Sequence, residues 1–141
     1  MKQKLFYLLP LLLAAGMGCV KSNYQPPLLP SGTFSGTFGY LHRANDRINF
    51  DTLKASTTLA LNTNGTFAVT GDTTTLQAGS FGTYALYASQ IQFGDKTYSA
   101  TGTSVKKHLN GIYAYSYDGS NFNLLSNITD TISMQYQLVK N

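Results

Sequence analysis

The sequence predicts an all-β domain, an antiparallel meander of about eight strands that closes or nearly closes into a barrel. Three observations carry that reading. Apolar side chains recur at every second position through a series of short segments, which is the period of a strand with one face buried. The last of the four prolines is Pro30, and a sheet interior excludes proline because it lacks the N–H that a ladder needs. Finally, 13% of the residues are aromatic, only 11% are charged, and no Glu occurs. That composition is poor in helix formers and rich in residues that suit a pleated surface. The low charge and many aromatics also exclude a disordered chain. At 141 residues there is material for one ordinary domain and not two.

The strands follow in order. Thr33 to Tyr40 sets Phe34, Phe38 and Tyr40 on one side. Thr57 to Leu61 does the same with Leu59 and Leu61, and Asn62-Thr63-Asn64-Gly65 then ends on Asn-Gly, the strongest short hairpin signal. Thr66 to Thr70 returns with Phe67 and Val69 paired on one face. Ser80 to Tyr87 is the fourth run, and Gln90 to Phe93 the fifth, closed by a turn at Gly94-Asp95. Gly111 to Tyr117 is the sixth, with Tyr113, Tyr115 and Tyr117 in a stripe, and Asp118-Gly119-Ser120-Asn121 is a second hairpin turn. Phe122 to Leu125 is the seventh. Thr131 to Val139 is the eighth, with Ile132, Met134, Tyr136 and Leu138 at alternate positions. Between the first two runs, Asn45 to Ser56 has room for a short turn around Asp51 to Ala55, and Thr101 to Leu109 is irregular. Neither has the apolar spacing of an amphipathic helix.

An open sheet of this size would leave unpaired edges that invite aggregation, and closure into a barrel removes them. A two-sheet β-sandwich is the alternative. The inward positions are then Phe34, Phe38, Leu59, Leu61, Phe67, Val69, Ile91, Phe93, Ile132, Met134, Tyr136 and Leu138. Either they fill the interior or they line a space for one small ligand. The tyrosine stripe reads as cross-strand aromatic pairing, with an aromatic pocket or partner rim as the other option.

The N-terminus is an address. Lys2 and Lys4 precede an apolar run from Leu5 to Ala15 that is broken by Pro10 and too short to span a bilayer. Ala15-Gly16-Met17-Gly18-Cys19 resembles the lipobox of bacterial lipoproteins. The resemblance implies cleavage before Cys19 and acylation of its thiol; plain secretion is the alternative. Residues 1–18 are then a signal peptide, residues 19–31 a lipidated cysteine with a tether containing Pro26, Pro27 and Pro30, and residues 32–140 the barrel domain. Two or three acyl chains on one residue hold a protein stably at a membrane. Cys19 is the sole cysteine, so no disulfide is expected. Loss of Lys2 and Lys4 leaves eight basic side chains against six Asp, a net charge of +2. With no basic cluster beyond Lys106-Lys107, nucleic acid is not an expected partner.

Further motifs carry a family resemblance. They are Gly32-Thr33-Phe34-Ser35-Gly36-Thr37-Phe38, Gly79-Ser80-Phe81-Gly82-Thr83-Tyr84 before Ile91-Gln92-Phe93, Leu109-Asn110-Gly111-Ile112-Tyr113-Ala114-Tyr115, and Tyr136-Gln137-Leu138-Val139-Lys140. Over most of the domain the chain is similar to lipocalin-like lipoproteins of the Bacteroidetes. The resemblance implies a calycin-like barrel that binds a small apolar molecule. Asp51-Thr52-Leu53, Asp72-Thr73-Thr74 and Asp130-Thr131-Ile132 resemble the O-glycosylation sequon of the same bacteria, which would modify Thr52, Thr73 and Thr131. Val20-Lys21-Ser22 lacks the acidic residues that resemble surface-export signals, which points to the periplasmic face of the outer membrane.

No catalytic residues, metal ligands or cofactor are expected. His42 and His108 are the only histidines and read as lone surface residues, without a metal-binding spacing. Asp46, Asp72, Asp95 and Asp118 fall in turns, where Asp bonds its own backbone. No Gly-x-Ser-x-Gly elbow occurs. The expectation is therefore a non-enzymatic, lipid-anchored barrel that carries a small apolar ligand inside. The alternative is a side-chain-filled barrel that docks onto an envelope protein.

Overall fold

A computed structural model describes residues 28–43, 49–99 and 105–141. Eight strands follow in chain order: β1 (Gly32–Arg43), β2 (Phe50–Leu61), β3 (Thr66–Gly71), β4 (Ser80–Leu86), β5 (Gln90–Asp95), β6 (Gly111–Tyr117), β7 (Asn121–Thr129) and β8 (Ile132–Lys140). Each pairs antiparallel with its sequence neighbour, and β8 closes the barrel on β1 from Phe34↔Lys140 to His42↔Ile132. Closure decides between barrel and sandwich: both long edges of β1 are consumed, one by β2 and one by β8. Cys19 and the rest of the leader lie outside the described residues.

The segment read as a turn at Asp51 to Ala55 is instead strand. Leu53 stands opposite Tyr40 and Ala55 opposite Phe38, so β2 matches the full length of β1. A continuous partner edge offers hydrogen bonds to alternate residues of this segment and overrides their weak local preference. In the same way β5 runs through Gly94 to Asp95, and β7 runs past Leu125 to Thr129 along β8.

The hairpin turns are built as their residues dictate. At Asn62–Gly65, Gly65 takes φ 79° and donates to the Asn62 carbonyl at 3.0 Å. At the β6–β7 turn, the Asp118 carboxylate accepts from the Ser120 amide (2.9 Å), the Asn121 amide (2.6 Å) and the Asn121 side chain (2.8 Å). These donors, Asn121 foremost, hold its pKa down to about 2. Three tight turns and both ends of the described chain share one end of the barrel: the Asn141 amide bonds Thr33, and the Lys140 amide bonds Ser120. The opposite end carries the β1–β2, β3–β4, β5–β6 and β7–β8 connections.

The inner positions are filled by their own side chains. Every residue placed inside from the sequence is buried except Ile132, and Leu109, Tyr113, Phe122 and Leu124 join them. Ile132 is half-buried, because it is the first residue of β8, at the loop-end rim, where it borders a surface depression with Arg43 and Phe50. Aromatic rings cross the barrel in a chain. Phe67 meets Phe93 at 5.0 Å, Phe93 meets Tyr113 at 5.8 Å, Tyr113 meets Tyr136 at 6.0 Å, and Tyr136 meets Phe38 at 4.7 Å. A second group near the turn end joins Phe34, Phe122, Tyr115 and Tyr117. The tyrosine stripe of β6 therefore points inward, and its rings pack on those of neighbouring and facing strands, each such pair contributing about 0.5–1.5 kcal/mol beyond burial.

Candidate functional site

The loop end gathers the polar and irregular features of the molecule. The β3–β4 loop and the β5–β6 connection cross there and bond each other: the Ala78 amide reaches the Lys107 carbonyl at 3.0 Å, and the Lys107 amide reaches Leu76 at 2.8 Å. This short bridge lowers Gln77, Ala78 and Leu109 onto the core as a lid. The Gln77 side chain donates to the Tyr136 hydroxyl at 3.1 Å. Burial pushes the Tyr136 hydroxyl well above the usual phenol range, with Tyr113 and Asp95 nearby acting in the same direction. Burial also raises Tyr113, partly opposed by the backbone amide of Asn110. Both hydroxyls stay protonated across the physiological range.

Asp95 and His108 are the feature that sequence reasoning missed. The last residue of β5 does not face solvent as a turn residue would; its carboxylate is fully buried and lies 2.8 Å from His108 Nδ1. The other carboxylate oxygen accepts from the Thr97 amide at 2.7 Å and the Thr97 hydroxyl at 2.6 Å. Tyr98 packs edge-on to the imidazole at 5.6 Å, and Asn110 Oδ1 accepts the Asp95 amide at 3.1 Å. His108 is thus neither lone nor freely exposed. An imidazole held this way donates from Nδ1 and keeps Nε2 as its second polar edge. The carboxylate is shared with the Thr97 turn, so the pair clamps both ends of the 96–110 connection to the barrel. Two residues thirteen positions apart gave no local signal; only the fold of the connection brings them together. His42 is exposed on β1. Among the described residues, no three metal-binding side chains converge.

Beside this clamp the barrel wall is incomplete. β6 and β7 pair only from Ala114↔Leu125 to Tyr117↔Phe122. Above that point, among the described residues, Gly111 to Tyr113 pair with β5 alone, and Ser126, Asn127 and Thr129 pair with β8 alone, with Ile128 bulged between the last two. The gap opens into a cleft of about 450 Å³ lined by Tyr98, Lys106, Lys107, His108, Asn110, Gly111, Ile112, Ser126, Ile128 and Met134. Its cause lies in side-chain size. At this level Gly111 and Ser126 hold inward positions that one layer lower belong to Tyr113 and Leu124. A Cβ on Gly111 would meet nothing within 4 Å.

A second apolar depression of about 460 Å³ lies between Tyr40, Leu53, Lys54, Thr75, Leu76, Val105 and Lys107. The Lys107 ammonium sits 4.6 Å over the Tyr40 ring there, and Lys106 Nζ donates to the Thr73 carbonyl at 2.7 Å. The three threonines of the sequon-like motifs are also at this end: Thr52 and Thr131 are exposed, and Thr73 is half-buried. No protein-family model, no curated protein and no solved structure matches the chain.

Proposed function

We propose that this protein is a non-enzymatic barrel, tethered to the outer membrane through Cys19 on the periplasmic side, whose loop end docks onto another envelope protein. The observation that carries this choice is the chain of rings across the interior. A barrel of eight strands has room either for side chains or for a small ligand, and here Phe38, Phe67, Phe93, Tyr113 and Tyr136 occupy that room. The concavities open instead at the loop end, flanked by exposed Phe50, Leu53, Val105, Ile112 and Ile128. Exposed apolar side chains grouped in this way mark interaction surfaces. Anchoring is supported by the leader sequence; residues 28–31 meet the barrel at its tight-turn end, so a tether continuing from there would point the loop end away from the bilayer.

The test is a photo-crosslinking side chain placed at Leu53 or Val105 in living cells. A discrete adduct with an envelope protein is expected, absent when the crosslinker replaces exposed Gln92 on the outer wall. Stoichiometric binding of an apolar fluorescent probe, abolished by Phe93→Arg in a protein that still folds, would instead restore the interior-carrier reading. Acylation is checked by mass spectrometry of the native N-terminus, where Cys19→Ser should release the protein from membranes.

A further inference from the structure

The tight-turn end of the barrel differs from the loop end in charge and in how its backbone is satisfied. Among the described residues 28–33, 61–66, 86–90, 117–121 and 139–141, the charged side chains are Asp118 and Lys140, one of each sign. Arg43, Asp51, Asp72, Lys96 and Asp130 all stand at the opposite end. Each of the three tight turns also has a carbonyl capped by a tyrosine hydroxyl from a barrel strand. Tyr84 donates to Asn62 at 2.9 Å, Tyr115 to Tyr87 at 3.4 Å, and Tyr117 to Gly119 at 2.8 Å. The Lys140 amide donates to Ser120 and the Asn141 amide to Thr33. A carbonyl that already has a donor loses little when water leaves it, whereas an unpaired one is costly in an apolar medium.

This end exposes Leu28, Leu29, Tyr87 and Val139. Leu28 lies against the β6–β7 turn, where a Cβ on Gly119 would stand 3.7 Å from its Cδ1. A tyrosine at such a rim joins an apolar ring to a polar hydroxyl, the combination enriched at bilayer interfaces. Chain length sets the distance available. Eight residues separate Cys19 from Leu28, and that stretch reaches at most about 30 Å. Acyl chains on Cys19 would therefore hold this end close to the headgroups.

We propose that the tight-turn end is a membrane-contact surface, which seats on the phospholipid headgroups beside the Cys19 anchor with Leu28, Leu29 and Tyr87 entering the interface. The inference rests on the anchoring reading above and fixes how the barrel stands on the bilayer. An end whose two charges offset each other meets an anionic leaflet without net repulsion, and its exposed apolar side chains supply the attraction.

The chain contains no tryptophan, so a single introduced one reports its own surroundings. The experiment puts Tyr87→Trp into the protein as the cell makes it. The product is reconstituted in vesicles of phosphatidylethanolamine and phosphatidylglycerol whose acyl chains carry bromine close to the headgroup. Its emission should move to shorter wavelength and lose intensity to the bromine, whereas Leu53→Trp at the loop end should do neither. Adding Leu28→Asn and Leu29→Asn to Tyr87→Trp should remove most of the quenching while the acyl chains keep the protein on the vesicles. All four positions are exposed, and an unchanged urea midpoint checks that the barrel is intact. An unquenched Tyr87→Trp in vesicle-bound protein would overturn the proposal. Equal quenching of Leu53→Trp, or quenching indifferent to the two leucine changes, would overturn it as well. If mass spectrometry finds Cys19 unacylated, the anchoring reading fails by itself. The free thiol is then coupled to a maleimide lipid and the measurement repeated; quenching of Tyr87→Trp alone supports the contact surface, and its absence overturns it.

Discussion

Single side chains in this barrel carry unequal weight. Phe93 touches rings on both sides, Phe67 at 5.0 Å and Tyr113 at 5.8 Å, with Tyr84 at 6.4 Å. Phe93→Ala would leave a cavity in the centre of the ring chain and should lower unfolding free energy by about 3–5 kcal/mol, read from a urea midpoint at unchanged slope. Asp95 is a different case. Asp95→Ala strands the Thr97 amide and the His108 imidazole beneath the β5–β6 connection. About 1–3 kcal/mol should be lost, with hydrogen exchange rising locally from residue 96 to residue 110. The two residues were not equally legible. The inward place of Phe93 follows from its spacing to Ile91, a strictly local pattern. Asp95 follows Gly94 and has the propensity of a turn residue; that it is buried against His108 depends on a connection that folds back over the barrel mouth.

At the scale of elements, the turns and seams respond to different perturbations. The Asp118 carboxylate caps the β6–β7 turn, and its donors lower its pKa from 3.8 to about 2. The folded state therefore favours the ionised form, so its contribution is complete above pH 3.8 and disappears as pH falls through about 2. The stability difference between the natural chain and Asp118→Ala should accordingly persist at neutral pH and shrink on acidification through that window, measured by urea unfolding across the series. The β1–β8 seam instead depends on a missing side chain. A Cβ at Gly36 would run into the Gln137 carbonyl, so Gly36→Ala should loosen closure and speed exchange of the β1 and β8 amides before those of β3 and β4. β2 shows how far elements can be read locally. Thr57 to Leu61 alternates and is plain in the sequence, whereas Asp51 to Ala55 is drawn into strand only because β1 presents an edge of equal length.

For the whole molecule, the decisive quantity is what occupies the barrel. With five rings spanning it, an apolar fluorescent probe should show no saturable binding to the interior, and added probe should leave the melting temperature unchanged, since a ligand that binds the native state stabilises it by mass action. Thermal scans at increasing probe concentration check this. The described parts of the loop-end connections lie opposite both ends of the described chain, so the surface proposed for a partner is the one built from segments with the weakest periodicity. That is why the candidate site was less legible than the fold: Gly111, Ser126 and Ile128 look like ordinary strand residues, and the gap they leave exists only because β6 and β7 stop pairing at Ala114↔Leu125.

The alternation of apolar side chains, the hairpin turns at Asn62–Gly65 and Asp118–Asn121, and the absence of proline beyond Pro30 determined by themselves an all-β meander and nearly all of its inward face. These are signals between near neighbours, where a two-residue period and turn chemistry act without help from distant parts of the chain. Closure of β8 on β1, the joining of Asp95 to His108, the solid interior and the split wall were decided by the tertiary structure. Each depends on the volume of side chains that meet from strands far apart in sequence, and no local pattern encodes how those volumes add up around a closed ring.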